Sequence, residues 1–215
     1  YAELVPLVQA ETGATLRVTK QMQVPMAAVR FRRYAKGIAE ELSIPIEPNV
    51  SPTTALAPGG LIGGVAKRQP VGVVVCITSY NFPLTNMAGK LGPALAMGNT
   101  VVVKPAPQDP LGIVKLGEVF EEAGFPPGVV NIVTGAGAVT GEALINHPGV
   151  DKLTFTGSTA VGKRVGHAAV DRVARFTLEL GSKSPMILLS DMEEGIEPLI
   201  AGLGMFFNQG QVCTS

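Results

Sequence analysis

Two cysteines carry the most reactive chemistry in this sequence, and they sit in unlike surroundings. Cys76 falls inside the apolar run Val71–Ile77, where a thiol serves as a small core residue. Cys213 falls in Phe206-Phe-Asn-Gln-Gly-Gln-Val-Cys213, a polar, glycine-containing stretch that leaves its sulfur reachable. A reachable thiol becomes a nucleophile once a base takes its proton. No histidine lies near Cys213 in sequence, so the obvious partner is Glu179, an acid among apolar neighbours in Leu178-Glu-Leu-Gly-Ser182. Burial at that position is expected to raise its pKa toward the range of a general base. Ser79-Tyr-Asn-Phe-Pro83 ends a buried strand, so the Asn81 amide could project into a strand-end crevice, although asparagine also serves turns for purely local reasons. Lys104, in Lys104-Pro-Ala-Pro107, supplies a cation that could meet a ribose or a phosphate; the ordinary alternative is a solvated charge.

Two glycine turns suit phosphate. The first, Gly157-Ser158-Thr-Ala-Val-Gly162-Lys163-Arg164, follows a β-rich run and opens a helix, whose free N–H groups and positive dipole end favour a pyrophosphate. Its spacing also mimics a P-loop, but Arg164 stands where a hydroxyl would hold Mg²⁺. A turn that merely needs glycine is the third reading. The second, Gly135-Ala-Gly137-Ala-Val-Thr-Gly141, approaches the dinucleotide fingerprint, with Thr140 where the third glycine belongs, and a plain strand-to-helix turn is an equal reading. His147 and His167 have no metal-ligand spacing and read as surface or packing residues.

These groups need elements to position them, and the chain from Val71 onward alternates short β-rich runs with helical stretches. The strands are expected at Val71–Thr78, Thr100–Lys104, Val129–Val133, Lys152–Thr156, Phe176–Glu179 and Met186–Ser190. Helices are expected at Leu84–Met97, Leu111–Ala123, Val139–Asn146, Thr159–Val173 and Glu193–Phe207, with Gly98 and Gly124 as stops. The pattern predicts an α/β fold, a Rossmann-like, mostly parallel sheet with helices on both faces. Such sheets bind ligands at the carboxyl ends of their strands, which puts the loops after Thr78, Lys104, Val133 and Thr156 in question. Ahead of the sheet, Met26–Leu42 has helical periodicity, and Ser43–Gln69 is a Pro/Gly-rich hairpin or extended arm, with a boundary near Pro70.

Composition narrows the function classes. Seventeen Lys and Arg balance seventeen Asp and Glu, and only 16% of the 215 residues are charged, so a charge-driven hold on nucleic acid or anionic membrane is not expected. The 26 glycines and 17 prolines are scattered between apolar runs, as in a turn-rich globular fold. No apolar run approaches the length of a membrane span. Two cysteines far apart suggest a reducing compartment, the cytoplasm.

In their order along the chain, Ser79-Tyr-Asn-Phe-Pro83, Lys104-Pro-Ala, Phe155-Thr-Gly-Ser-Thr-Ala-Val-Gly162, Leu178-Glu-Leu-Gly181 and Asn208-Gln-Gly-Gln-Val-Cys213 resemble the aldehyde dehydrogenase superfamily. The resemblance runs from about Glu11-Thr-Gly13 to Ser215. It implies NAD-dependent oxidation of a small-molecule aldehyde to a carboxylic acid, NADP remaining open because Pro107 replaces a frequent acid. It implies Cys213 as nucleophile, Glu179 as general base and Asn81 as oxyanion donor, with a thiohemiacetal, hydride transfer to nicotinamide, and a thioester that water hydrolyses. Cofactor contacts are implied at Thr78, Tyr80, Lys104, Gly137, Gly157, Ser158, Gly162 and the Leu180 carbonyl. Tyr80 stands where Trp is frequent and Ser182 replaces a second glycine. The resemblance further implies a cofactor domain at 70–207, behind an N-terminal segment at 1–69 and ahead of the start of a catalytic domain at 208–215. It places this chain within a longer enzyme that forms a homodimer or homotetramer.

Overall fold

A computed structural model describes residues 2–38, 40, 43–192 and 195–214. The chain opens with helices α1 (Leu4–Thr12), α2 (Leu16–Val18) and α3 (Val24–Gly37), a wider π turn at Thr19–Gln23 joining the last two. The expected helix at Met26–Leu42 is thus α3, and Ala39, Glu41 and Leu42 lie outside the described residues. The Pro/Gly-rich arm is a hairpin, β1 (Ser43–Ser51) antiparallel to β2 (Gly60–Lys67).

The strand-and-helix rhythm then proceeds through β3 (Val73–Ile77), α4 (Pro83–Ala96), β4 (Thr100–Lys104), α5 (Leu111–Glu122), β5 (Val130–Ile132), α6 (Glu142–Asn146), β6 (Lys152–Gly157), α7 (Thr159–Val170), β7 (Arg175–Leu180) and α8 (Glu197–Phe206). Strands β3 to β7 form one parallel sheet in the order β5-β4-β3-β6-β7. Alternation along β3 builds both faces of the core. Val74 and Cys76 enter one buried cluster with Leu84, Met87, Leu91 and Ile113, to which Val5, Val8, Val24 and Ala27 of the N-terminal helices also belong. Val75 enters the other with Ile145, Leu153, Phe155 and Val165. A strand covered on both faces must be apolar at every position, which is why the parallel strands read as continuous Val and Ile runs.

Helices α4 and α5 end at left-handed glycines, Gly98 (φ +74°) and Gly124 (φ +77°), as the stop signals predict. The helix expected at Val139–Asn146 is split between a π turn at Gly137–Gly141 and α6. That expected at Thr159–Val173 ends at Val170, and Val173 turns to φ +55°. One expected strand is absent: Met186–Ser190 forms no ladder. Its apolar Met, Ile and Leu run is permissive, but a strand exists only with a neighbour, and Ile187 and Leu189 are 78% and 68% exposed with none beside them among the described residues. Glu193 and Glu194, expected to begin the last helix, lie outside the described residues. No helix among the described residues is long and apolar enough to cross a membrane.

Candidate active site

The sheet order fixes where a ligand can enter. From β3 the chain winds outward through β4 to β5, then returns to the opposite side of β3 for β6 and β7. The connections leaving β3 and β6 therefore diverge, opening a crevice at the carboxyl ends of these neighbours. The loop after β3 carries Thr78, Ser79, Tyr80 and Asn81; the loop after β6 carries Gly157 and Ser158. Lys104 ends β4, where it pairs with Ile77, and Glu179 and Leu180 end β7, opposite Thr156 and Gly157. Eight of the expected site residues thus come to one end of the sheet, and they do so because parallel strands all point the same way.

Asn81 is held at three points. Its Nδ2 donates to the Gln211 carbonyl (2.9 Å), and its own carbonyl accepts from Asn208 Nδ2 (3.0 Å). Its Oδ1 accepts from Ser79 Oγ (2.7 Å) and from Asn86 Nδ2 (3.4 Å), and Asn86 Nδ2 also donates to Ser79 Oγ (3.1 Å). Gln211 lies two residues before Cys213, so these bonds bring the thiol loop to the loop after β3. The thiol loop is shaped for the meeting: Asn208 (φ +49°) and Gln209 (φ +63°) both take left-handed backbone, and stacked rings of Phe82 and Phe207 lie 6.4 Å apart beside it. Cys213 is exposed, whereas Cys76 is buried, and burial pushes its thiol up to about 12.

Lys104 contradicts the picture of a solvated charge. It is 2% exposed, and its Nζ donates to the Pro105 carbonyl (3.0 Å). Burial draws its ammonium below the ordinary value. An ammonium has three protons, so Lys104 retains donors for an oxygen-rich ligand. At the head of α7, Ser158 is the N-cap, accepting from the Val161 N–H (3.4 Å), and Gly162 lies so near β7 that a Cβ there would overlap the Leu180 side chain. Glycine at that position keeps the helix start close to the sheet end. Arg164, the residue at odds with a P-loop, pairs with Glu142 (2.8 Å) and ties α7 to α6. Thr78 is buried, its hydroxyl donating to the Ser79 carbonyl (2.8 Å), and Tyr80 is 45% exposed. Gly137 begins the π turn, and a side chain at Gly141 in that turn would touch the Lys104 stem.

Glu179 differs from expectation. It is exposed, because β7 is an edge strand and Glu179 stands on it beside a single neighbour, Thr156. Among the described residues no hydrogen bond joins Glu179 to Cys213.

Two buried titratable groups escaped the sequence reading. Lys90 on α4 donates to Thr154 Oγ1 (3.2 Å) and is drawn down to about 8 by burial, with Cys76 and Glu179 opposing. Its amphipathic neighbours Lys90-Leu-Gly-Pro gave no sign, since lysines on helices are normally solvated. Asp109 is fully buried, and neither carboxyl oxygen has a hydrogen-bond partner among the described residues. Burial first, and then the Glu11 carboxylate, push it up to about 8. Glu11 itself accepts from the N–H groups of Leu111 (2.5 Å) and Gly112 (2.8 Å) at the head of α5. Between two prolines, Asp109 reads in sequence as an ordinary turn residue.

Comparison with known proteins bears on this arrangement. The model of the aldehyde dehydrogenase family matches residues 1–215. The chain is similar to a mitochondrial aldehyde dehydrogenase of Leishmania tarentolae (43% identity over 216 residues, 99% of this chain and 41% of that protein) and to a phenylacetaldehyde dehydrogenase of Pseudomonas fluorescens (41% over 220 residues, 99% and 42%). An NAD+ complex structure of aldehyde dehydrogenase from Bacillus cereus superposes with a TM-score of 0.83 at 36% identity, covering 99% of this chain and 42% of that one. The chain spans about two-fifths of the length of these curated relatives.

Proposed function

Because this chain belongs to the aldehyde dehydrogenase family, we propose that it forms the cofactor-binding part of an enzyme oxidising an aldehyde to a carboxylic acid, with nucleophile, base and oxyanion donor aboard. The observation that carries the reading is the bond from Asn81 to the Gln211 carbonyl, which joins the loop after β3 to the loop of Cys213 at the crevice between diverging connections. Residues 70–207 would make up the cofactor domain, and 208–215 would lead into the catalytic one.

The residues at the crevice fit a nicotinamide dinucleotide. Lys104, buried with donors to spare, would hold ribose hydroxyls; the head of α7 at Gly157 and Ser158 would face the pyrophosphate; Thr78, Tyr80, Gly162 and the turn at Gly137 would flank it; the Leu180 carbonyl would orient the nicotinamide amide. Bound there, nicotinamide supplies a hydride acceptor. NAD is favoured by the complex of the similar Bacillus cereus enzyme, while Pro107 leaves a 2′-phosphate unopposed.

Cys213, exposed at the crevice, releases its proton to water and attacks the aldehyde carbon as the thiolate, forming a thiohemiacetal alkoxide. The second Nδ2 proton of Asn81, the first being given to Gln211, and the Cys213 backbone N–H stabilise that oxygen. After the carbon is oxidised to the thioester, Glu179 takes a proton from water, which hydrolyses it and releases the acid. In its exposed state on β7, Glu179 is reachable by that water. Assembly as a homodimer or homotetramer in the cytoplasm accompanies this reading, although one similar protein is mitochondrial.

The test is Cys213→Ala in the polypeptide carrying this chain at the relatives' length, following reduced cofactor with a panel of aldehydes. Loss of acid formation with cofactor affinity unchanged is the expected result. Acid formation at the parental rate would remove Cys213 from the role.

A further inference from the structure

An oxyanion donor must present hydrogen, and an asparagine side chain presents hydrogen at one end and oxygen at the other. Turned by half a rotation about its last bond, Asn81 would face the Cys213 loop with Oδ1, an acceptor opposed to the Gln211 carbonyl and to any alkoxide. What stands behind Asn81 therefore matters as much as what stands before it. Ser79 Oγ donates its only proton to Asn81 Oδ1 at 2.7 Å, and Asn86 Nδ2 donates to Ser79 Oγ at 3.1 Å and to Asn81 Oδ1 at 3.4 Å. A serine hydroxyl alone has no preferred sense, since it can donate or accept. Asn86 gives it one: a hydroxyl oxygen already receiving an N–H turns its own proton outward, toward Asn81. Donation then runs one way, from Asn86 through Ser79 to Asn81 and on to Gln211, and each link polarises the next.

Asn86 is also firmly placed. It sits in the first turn of α4, its backbone N–H bonded to the Phe82 carbonyl at 2.8 Å, between Leu84 and Met87, which are 1% and 0% exposed. Among the described residues, the Nδ2 end of the Asn81 amide is tied only to the thiol loop, at Gln211. We infer that Asn86, acting through Ser79, is a positioning residue that keeps the N–H edge of the Asn81 amide turned toward the Cys213 loop. The inference rests on the oxyanion role proposed for Asn81.

The experiment uses the polypeptide at the relatives' length and two reactions, aldehyde oxidation and hydrolysis of 4-nitrophenyl acetate. The ester acylates a thiol through the same kind of oxyanion and needs no cofactor. Asn86→Leu keeps the shape and removes the donor; it is expected to lower kcat about tenfold in both reactions with KM nearly unchanged, the worth of one or two neutral hydrogen bonds. In an Asn81→Ala background the same substitution is expected to cost nothing further, because the group it acts through is gone. Ser79→Ala should follow Asn86→Leu, lowering kcat in the parent and costing nothing further in the Asn81→Ala background, and it decides the question if Asn86→Leu fails to fold. An equal loss with and without Asn81, a change confined to KM, or an undiminished kcat would each overturn the inference. If Asn81→Ala cripples both reactions while Asn86→Leu and Ser79→Ala do not, the positioning role alone is refuted; if Asn81→Ala is itself harmless, the oxyanion reading falls and takes this one with it.

Discussion

Replacing Asp109 by asparagine is expected to stabilise this protein at neutral pH, against the usual direction of substitutions at fully buried sites. The carboxyl is fully buried without a hydrogen-bond partner among the described residues, and Glu11 adds a like charge. Its folded pKa of about 8 lies far above the ordinary value of 3.8. A raised folded pKa means that the folded state holds a proton the unfolded chain has released. Stability from this group is complete below the ordinary value and is lost as pH rises toward about 8, at about 1.4 kcal/mol per unit. At pH 7 the accumulated cost is about 4 kcal/mol as a ceiling, since asparagine brings a buried NH₂ that also lacks a partner and takes back about 2 kcal/mol. Urea unfolding followed by circular dichroism, at several pH values from about 4.5 to 7.5, reads the difference. The stability of Asp109→Asn relative to the parent should climb by about 4 kcal/mol across that range, from about 1 kcal/mol below the parent at the acid end to about 2 kcal/mol above it near pH 7, a window in which Lys90 stays mostly charged in the fold. Parallel profiles would mean that Asp109 is already ionised and solvated, and the burial argument would be wrong.

Lys90 works in the opposite sense: its folded value of about 8 is depressed from 10.5, so stability should rise by about 3 kcal/mol as pH climbs between those values, and Lys90→Met should abolish the rise in the same unfolding assay. Thiol alkylation resolved by peptide mass mapping should find Cys213 modified more than about 100-fold faster than Cys76 near neutral pH, because one is exposed and the other is buried with its thiol pushed up to about 12; equal rates would contradict the placement of the two sulfurs.

The sheet was legible because parallel strands covered on both faces must be apolar throughout, and Thr100–Lys104 could be read to the residue. Met186–Ser190, an apolar run of Met, Ile and Leu, failed, because pairing depends on a neighbour that local sequence does not encode. The site residues were legible as types at strand ends, since the direction of a parallel sheet carries every such end to one place. Their environments were not. Lys104 and Glu179 both read as charges at strand termini, yet the first is buried under Gly141 and the second is exposed on an edge strand. Asp109 and Asn86 were missed for the same reason: the packing of α1 against α5, and the approach of Ser79 to α4, are products of folding that no spacing announces.

The bond between Asn81 and Gln211 also says when the site can come into being. Its partners are 130 residues apart in sequence, and closing a free loop of that length costs about 4 kcal/mol, more than one or two neutral hydrogen bonds return. The two loops cannot find each other in an unfolded chain; the sheet must first gather the intervening residues and shorten the effective loop. Since Cys213 follows every strand of the sheet in sequence, it also leaves the ribosome after them, and its loop meets Asn81 only once the strands have paired. A nascent or unfolded copy therefore carries Cys213 without Asn81 beside its loop, and the proposed site is a late product of assembly.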